Sequence, residues 1–406
     1  MGTALAVVDA GAADLRASRM KPISSPRLPN QERPCCPKVS ALMRAAAAIP
    51  LVGLASSTAS GQGMPHEATF QFQYSYYDEW QGGSEDRISV RAPMFLLNAP
   101  VAESTELQVG FVLDTLSGAS PVYHDTLSGA SGIGIQDERT AGDVTVTQYF
   151  EQFSVSLGGA FSHEDDYDSE GLNLSSKIWS SDKNTVLLLG VNGNRDTVGS
   201  SNNSELDERK KTFGGIVGIT QVLDKNSVFQ SNLSATFEDG YLNDPYKLGD
   251  NRPGSRDRFA WLARYVRFIE ATQGSLHVDY RYYWDSWDLK AHTLDLSWYQ
   301  PLGKDEQWLV RPRIRYYSQT DVDFYDSRDP VDITDDRLYT PDQRLAGFGS
   351  IGLGLKLIRQ FGGGFSGSVN YDYVVQDSGW TVFSPGSPGI EQLTMSYFSL
   401  GFEKKF

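Results

Sequence analysis

The sequence has 406 residues, among them 20 Tyr, 20 Phe, 8 Trp and 39 Gly, with a negative mean hydropathy and a formal charge of −15. So acidic a chain excludes nucleic acid as a partner, because the phosphates would be repelled. The aromatic and glycine load suits a wall with aromatic girdles around a polar lumen better than a soluble enzyme. No stretch reaches the roughly 18 unbroken apolar residues of a membrane helix, so a membrane-crossing chain of this composition crosses in strands.

The first 60 residues stand apart. Met43-Arg44 precedes the short apolar run Ala45 to Leu54 and a series of small residues ending at Ser60, the pattern of a signal peptide cleaved near Ala59 to Gly61. Residues 1–42, rich in Pro, Arg and Ser, are read either as an extended n-region or as lying before a start at Met43, the second being favoured. Setting 1–60 aside removes seven basic and three acidic residues, leaving 29 basic against 48 acidic and a charge of −19. Cys35 and Cys36 go with it, so residues 61–406, read as a single domain, have neither disulfides nor thiol chemistry.

From there the chain repeats runs of roughly ten residues in which apolar and polar side chains alternate, placing them on opposite faces of a sheet. Strands are expected near 68–79, 86–97, 105–115, 138–150, 152–164, 167–179, 184–196, 208–222, 226–239, 257–269, 274–286, 288–300, 307–319, 343–358, 364–376 and 390–406. The clearest is 275–284, with Leu276, Val278, Tyr280, Tyr282 and Trp284 on one face and Ser275, His277, Asp279, Arg281 and Tyr283 on the other. The seventh, tenth and fourteenth alternate poorly. Connections at 151–152, 181–184, 224–226, 303–306 and 362–364 are short, and those at 116–137, 197–207, 240–256, 320–342 and 377–389 are long. Short and long largely alternate. The pattern predicts an all-β fold: a transmembrane up-and-down antiparallel β-barrel of about 16 strands, with short periplasmic turns and longer extracellular loops.

The last strand is the most specific element. Phe398, Leu400, Phe402 and Phe406 share one face, which Lys404 interrupts one step before the end. A terminal aromatic on such a strand resembles the signal by which the outer-membrane assembly machinery takes up its substrates. These four residues therefore predict an outer-membrane location.

Several words of sequence carry a wider resemblance: Ser117-Gly-Ala-Ser-Pro121 with its echo Ser128-Gly-Ala-Ser131, Asp137-Glu-Arg139 before Gly142-Asp-Val144, and Asp244-Pro-Tyr-Lys247. Others are Tyr280-Arg-Tyr-Tyr-Trp-Asp-Ser-Trp287 with Ala291-His-Thr-Leu294, Arg315-Tyr-Tyr-Ser-Gln319 and Asp342-Gln-Arg-Leu345. On these the chain, from about 65 to 406, resembles an uncharacterised family of Gram-negative exported proteins known as domain of unknown function 3570. That resemblance implies a location and no activity.

The candidate site is a row of arginines. With Trp308, Val310, Pro312, Ile314 and Tyr316 facing lipid, Arg311, Arg313 and Arg315 turn into the lumen, and parity adds Arg281 and Asp279 on one strand and Arg87 and Arg91 on the second. A bore of about 16 strands is wide enough for an aqueous channel, and lining arginines bias it towards anions. The competing reading pairs these arginines with inward acids such as Asp279, Asp295, Asp143 or Glu238 in a structural network.

The remaining motifs read as structure. The heptapeptide Asp114 to Ser120 recurs at Asp125 to Ser131, a duplicated turn in one loop. Loop 320–342 carries Asp321, Asp323, Asp326, Asp329, Asp332, Asp335 and Asp336 without the spacing of a calcium loop, so no metal is expected there. Gly347-Phe-Gly-Ser-Ile-Gly352 matches a dinucleotide pattern but runs on into a strand, with no helix to meet a pyrophosphate, so no cofactor is expected. The mature chain's histidines, His66, His124, His163, His277 and His292, accompany no nucleophile motif, so no catalytic residue is assigned.

The first functional reading is a porin-like channel for small polar solutes. The second is a plugged barrel that binds or scaffolds a partner or lipopolysaccharide through its long loops; a rim-sited lipid hydrolase comes third. Inward Gly158, Ser234 and Ser399 favour an open bore, whereas inward Tyr77, Tyr149, Tyr283, Tyr317 and Tyr397 favour a filled one. Homo-oligomerisation enters by analogy with general porins alone.

Overall fold

The computed structural model describes residues 64–406 apart from 82–84, 119–134, 201–202, 248, 304 and 329–336. The signal-peptide reading of 1–60 and the second heptapeptide copy, Asp125 to Ser131, lie outside the described residues. The strands are β1 Thr69–Gln81, β2 Glu85–Ala102, β3 Thr105–Gly118, β4 Ile135–Tyr149, β5 Phe153–His163, β6 Tyr167–Trp179, β7 Thr185–Val198 and β8 Glu208–Asp224. They continue as β9 Ser227–Gly240, β10 Ser255–Ile269, β11 Gly274–Asp285, β12 Lys290–Leu302, β13 Trp308–Gln319, β14 Phe348–Gly362, β15 Phe365–Asp377 and β16 Leu393–Lys405. Each pairs antiparallel with the next, and β1 pairs with β16, so the sheet closes on itself without a free edge. This is the expected transmembrane up-and-down barrel.

The distribution of side chains says which solvent each face meets. Phe95, Leu172, Phe213, Leu353 and Phe402 stand exposed on the outer wall, Leu353 at 56%. Ser75, Asn370, Asp372 and Ser399 are buried on the inner one. A soluble sandwich turns its apolar faces inward; here the apolar face is the outside, as lipid requires. Strands of 11 to 18 residues are long enough to cross a hydrocarbon band at the tilt a barrel imposes.

Closure is fixed by the terminal strands. Phe72 stands opposite Phe402 and Ser75 opposite Ser399, and the Phe406 amide donates to the Ala68 carbonyl at 2.9 Å. At the tight rim the reversals are short enough to need left-handed backbone at Lys183, Gln273 and Glu306 and at Gly362, Gly363 and Gly364. The other rim carries the long connections.

Boundaries differ from expectation mainly beside those connections. β14 starts at Phe348 rather than 343, because the Asp342 carboxylate accepts from the Arg344 amide and caps a 3-10 turn over Gln343–Leu345. β3 and β4 extend to Gly118 and from Ile135, shortening the expected loop at 116–137.

Candidate functional site

On β10 to β15 the pleat points a row of charges into the lumen. Arg264 of β10 faces Asp279 of β11; Asp279 faces Asp295 of β12, and Asp295 faces Arg315 of β13. Arg281, two residues above Asp279, lies opposite Thr293. Arg311 faces Lys356 of β14, and Arg313 faces Gly354, beyond which stands Asp372 of β15. Six basic side chains (Arg264, Arg281, Arg311, Arg313, Arg315, Lys356) thus share this arc with three carboxylates (Asp279, Asp295, Asp372).

The contacts are those of a half-dry wall. Arg264 Nε lies 2.8 and 2.9 Å from the two Asp279 oxygens, a forked contact that holds the guanidinium flat against the wall. Arg313 donates through Nε to Asp295 at 2.8 Å and approaches Asp372 at 3.7 Å. Gly354 makes room for that approach, since a Cβ there would fall 2.1 Å from Asp372 Oδ1. The Arg311 guanidinium lies 5.7 Å from the centre of the Tyr299 ring, on whose other neighbour, His277, the ring centres are 4.2 Å apart.

The facing wall at mid-height is small and, Asp143 apart, uncharged. On β4 to β9 the inward positions at mid-height are Thr145, Gly158, Asn173, Asn192, Gly218, Asn232 and Ser234, with Asp143 the acid among them. At mid-height, charge is therefore concentrated on one side of the bore.

Above the arc the mouth is built by two loops and a turn. Leu242 from the β9–β10 loop, Trp287 and Leu289 from the β11–β12 turn, and Val322 and Leu345 from the β13–β14 loop pack onto inward Ala260, Tyr283, Ala291, Tyr317 and Phe348. A buried ion network ties the two longer loops together. Arg344 reaches Asp244 at 2.8 Å and Asp342 through Nε at 2.8 Å, and Arg252 reaches Asp342 at 3.0 Å and Asp250 at 2.7 Å. Asn251 and Tyr339 exchange backbone hydrogen bonds of 2.8 and 2.9 Å across the junction.

Burial alone would raise the Asp342 carboxyl, but Arg344 and Arg252 beside it hold it well below the usual carboxylate range. For Asp250 burial wins over Arg252, and its carboxyl is raised. Burial likewise opposes the charge on Arg344, and Asp342 and Asp244 outweigh it, raising its affinity for the proton.

Of the residues singled out from the sequence, Arg281, Arg311, Arg313, Arg315 and Asp279 lie on the inner face together. Arg91 does not. It pairs with Tyr76 on the outer wall, its guanidinium 5.8 Å from that ring, while Ala92, Met94 and Leu96 turn inward. Alternation failed here because both faces of the lower half of β2 are apolar, and Phe95 decides the matter by packing on Phe72 outside. Arg87 falls where the β1–β2 register shifts, between Ile88 and Asp86, and its side chain lies outside the described residues.

Sequence reading missed Arg264 and Lys356. β10 carries inward Ala260, Leu262 and Val266, which hide the period, and β14 is interrupted by glycines. Counting across from β11, where the alternation is clean, would have found Arg264 opposite Asp279.

The family profile described as protein of unknown function (DUF3570) matches residues 40–131, 125–207 and 199–396. The chain belongs to that family. In this DUF3570 barrel, several of the words that carry the resemblance gather on one side of the mouth: Asp244 meets Arg344, Trp287 packs on Phe324, and Arg315 and Gln319 line the wall beneath. No curated protein sequence matches the chain. Solved structures that align with it include a bacterial polysaccharide outer-membrane secretin, at 8% identity and a TM-score of 0.49 over 84% of this chain and 98% of that one. Pseudomonas aeruginosa OpdK with vanillate aligns at 7% and 0.44 over 84% and 98%, and OccK2 of the same organism at 9% and 0.43 over 85% and 100%.

Proposed function

We propose that this outer-membrane barrel is a porin-like channel for small polar solutes, with a preference for anions. The observation that carries the reading is the surplus of base on the lumenal arc: Asp279 holds Arg264, Asp295 holds Arg313 and faces Arg315, and six cations share the arc with three carboxylates. A half-desolvated surplus of positive charge lowers the barrier for an anion and raises it for a cation. The wall opposite sets one acid, Asp143, against that field at the same height.

A second reading has its own support. The apolar packing of the mouth loops onto Tyr283, Tyr317 and Phe348 occupies the outer end of the bore on the side of the arc, which suits a barrel closed for binding rather than conduction. Single-channel recording from the purified protein in planar bilayers separates the two. Discrete conductance steps support the channel, and electrical silence from folded protein supports the closed barrel.

A further inference from the structure

On the outer wall at the tight rim, the closing pair β1–β16 bears a groove. Phe72 stands directly opposite Phe402, but their rings pack elsewhere: Phe72 on Phe95 at 5.0 Å and Phe402 on Phe365 at 6.0 Å. Phe70 and Phe361 extend the two ridges, on Phe95 at 6.4 Å and on Phe365 at 5.8 Å. Between the ridges lies a cavity of about 290 Å³.

Lys404 lines it, and a second cation, Arg359, stands beyond the Phe361–Phe365 ridge. Lys404 breaks the apolar face of the last strand, facing Phe70 on one side and Phe365 on the other, with its ammonium on the Gly363 carbonyl and 5.6 Å from the Phe406 ring. Arg359, outward on β14, lies between Trp308 and Phe361, 4.8 and 5.1 Å from their ring centres. Among the described residues neither meets a carboxylate, whereas Lys225 and Arg267 elsewhere on the same rim pair with Glu270 and Asp224. Aromatic faces hold the two charges at the rim without neutralising them.

We infer that this groove binds an anionic glycerophospholipid of the inner leaflet, one acyl chain lying between the phenylalanine ridges and the headgroup phosphate drawn to Lys404 and Arg359. Charge complementarity selects this occupant. The groove opens into hydrocarbon and ends at the headgroup level in two cations that meet no carboxylate among the described residues, since Glu403 in the lining is held by Gln71 and lies 3.7 Å from Lys405; a second copy of this chain, bearing the same cations, would be repelled. It also gives Lys404 a reason to interrupt an otherwise apolar strand face.

The test is native mass spectrometry of the folded protein in micelles doped with phosphatidylglycerol or phosphatidylcholine of equal chain length. The inference predicts preferential retention of one phosphatidylglycerol, weakened about fivefold for each of Arg359→Gln and Lys404→Gln. The control Lys225→Gln leaves it unchanged. As a second measurement, brominated acyl chains on phosphatidylglycerol should quench Trp308, read as the difference from a Trp308→Phe protein. Equal retention of both lipids, retention unaffected by the double variant, or the appearance of dimers in place of bound lipid would each overturn it.

Discussion

Arg313 donates through Nε to Asp295 at 2.8 Å, although the register sets Arg315, not Arg313, directly opposite that carboxylate. One acid therefore serves two cations across the β12–β13 pair. Arg313→Ala removes a positive charge and leaves Asp295 to Arg315 alone, whereas Asp295→Ala leaves both arginines unopposed by it. The first should move the reversal potential in a salt gradient towards cations and the second towards anions, and the double variant should return near the starting value. Either single change costs on the order of 1–3 kcal/mol of stability, since one partner remains half-buried. Shifts of the same sign in both single variants would contradict the lumenal assignment.

The mouth loops are held by largely buried charges, with Arg344 partly exposed at their edge. Asp342→Asn leaves Arg252 and Arg344 short of their shared carboxylate and should release the junction at a local cost on the order of 3–5 kcal/mol. Faster hydrogen exchange at the Asn251 and Tyr339 amides reads it directly.

Acid acts on the same junction with a defined sign. Asp342 sits below its ordinary value of 3.8 in the folded protein, so its stabilisation is complete above that pH and is lost as pH falls from there towards the folded value. Asp250 is raised, so its ionised form costs stability, a cost relieved when it takes up a proton above pH 3.8. Acidification from neutrality should therefore leave exchange at Asn251 and Tyr339 unchanged or slower until below about pH 3.8. Early acceleration, near pH 5 or 6, would argue against this division of roles.

Neighbouring positions on one strand should report opposite solvents. Leu174 of β6 is 48% exposed on the outer wall, and Ser175 faces the lumen. Leu174→Arg should cost about 2–4 kcal/mol in urea titrations of folding into liposomes, and Ser175→Arg should escape that lipid penalty. Equal costs at the two sites would mean that the wall does not face hydrocarbon.

How much of this was legible in the sequence follows from the period of two. Where one face is polar throughout, as at Ser275 to Trp284, the strand, its face and the inward Asp279 and Arg281 could be read directly. Where the lumen itself accepts Leu262, Val266, Leu96 or Val112, alternation loses its meaning; this cost Arg264 and misplaced Arg91. The pairing of Asp342 with Arg252 joins residues 90 apart, and no local pattern announces it. In the acidic loop at 320–342, Asp326 is engaged by Arg328 and Arg337, and Asp329, Asp332, Asp335 and Asp336 lie outside the described residues.

The most direct test of the account is the reversal potential of the Arg311→Ala, Arg313→Ala, Arg315→Ala triple variant in planar bilayers under a salt gradient, compared with the unaltered barrel. Removing three of the arc's six cations against its three retained carboxylates should abolish the anion preference and shift the potential towards cations. A potential identical to that of the unaltered protein would show that these arginines do not face the conducting path.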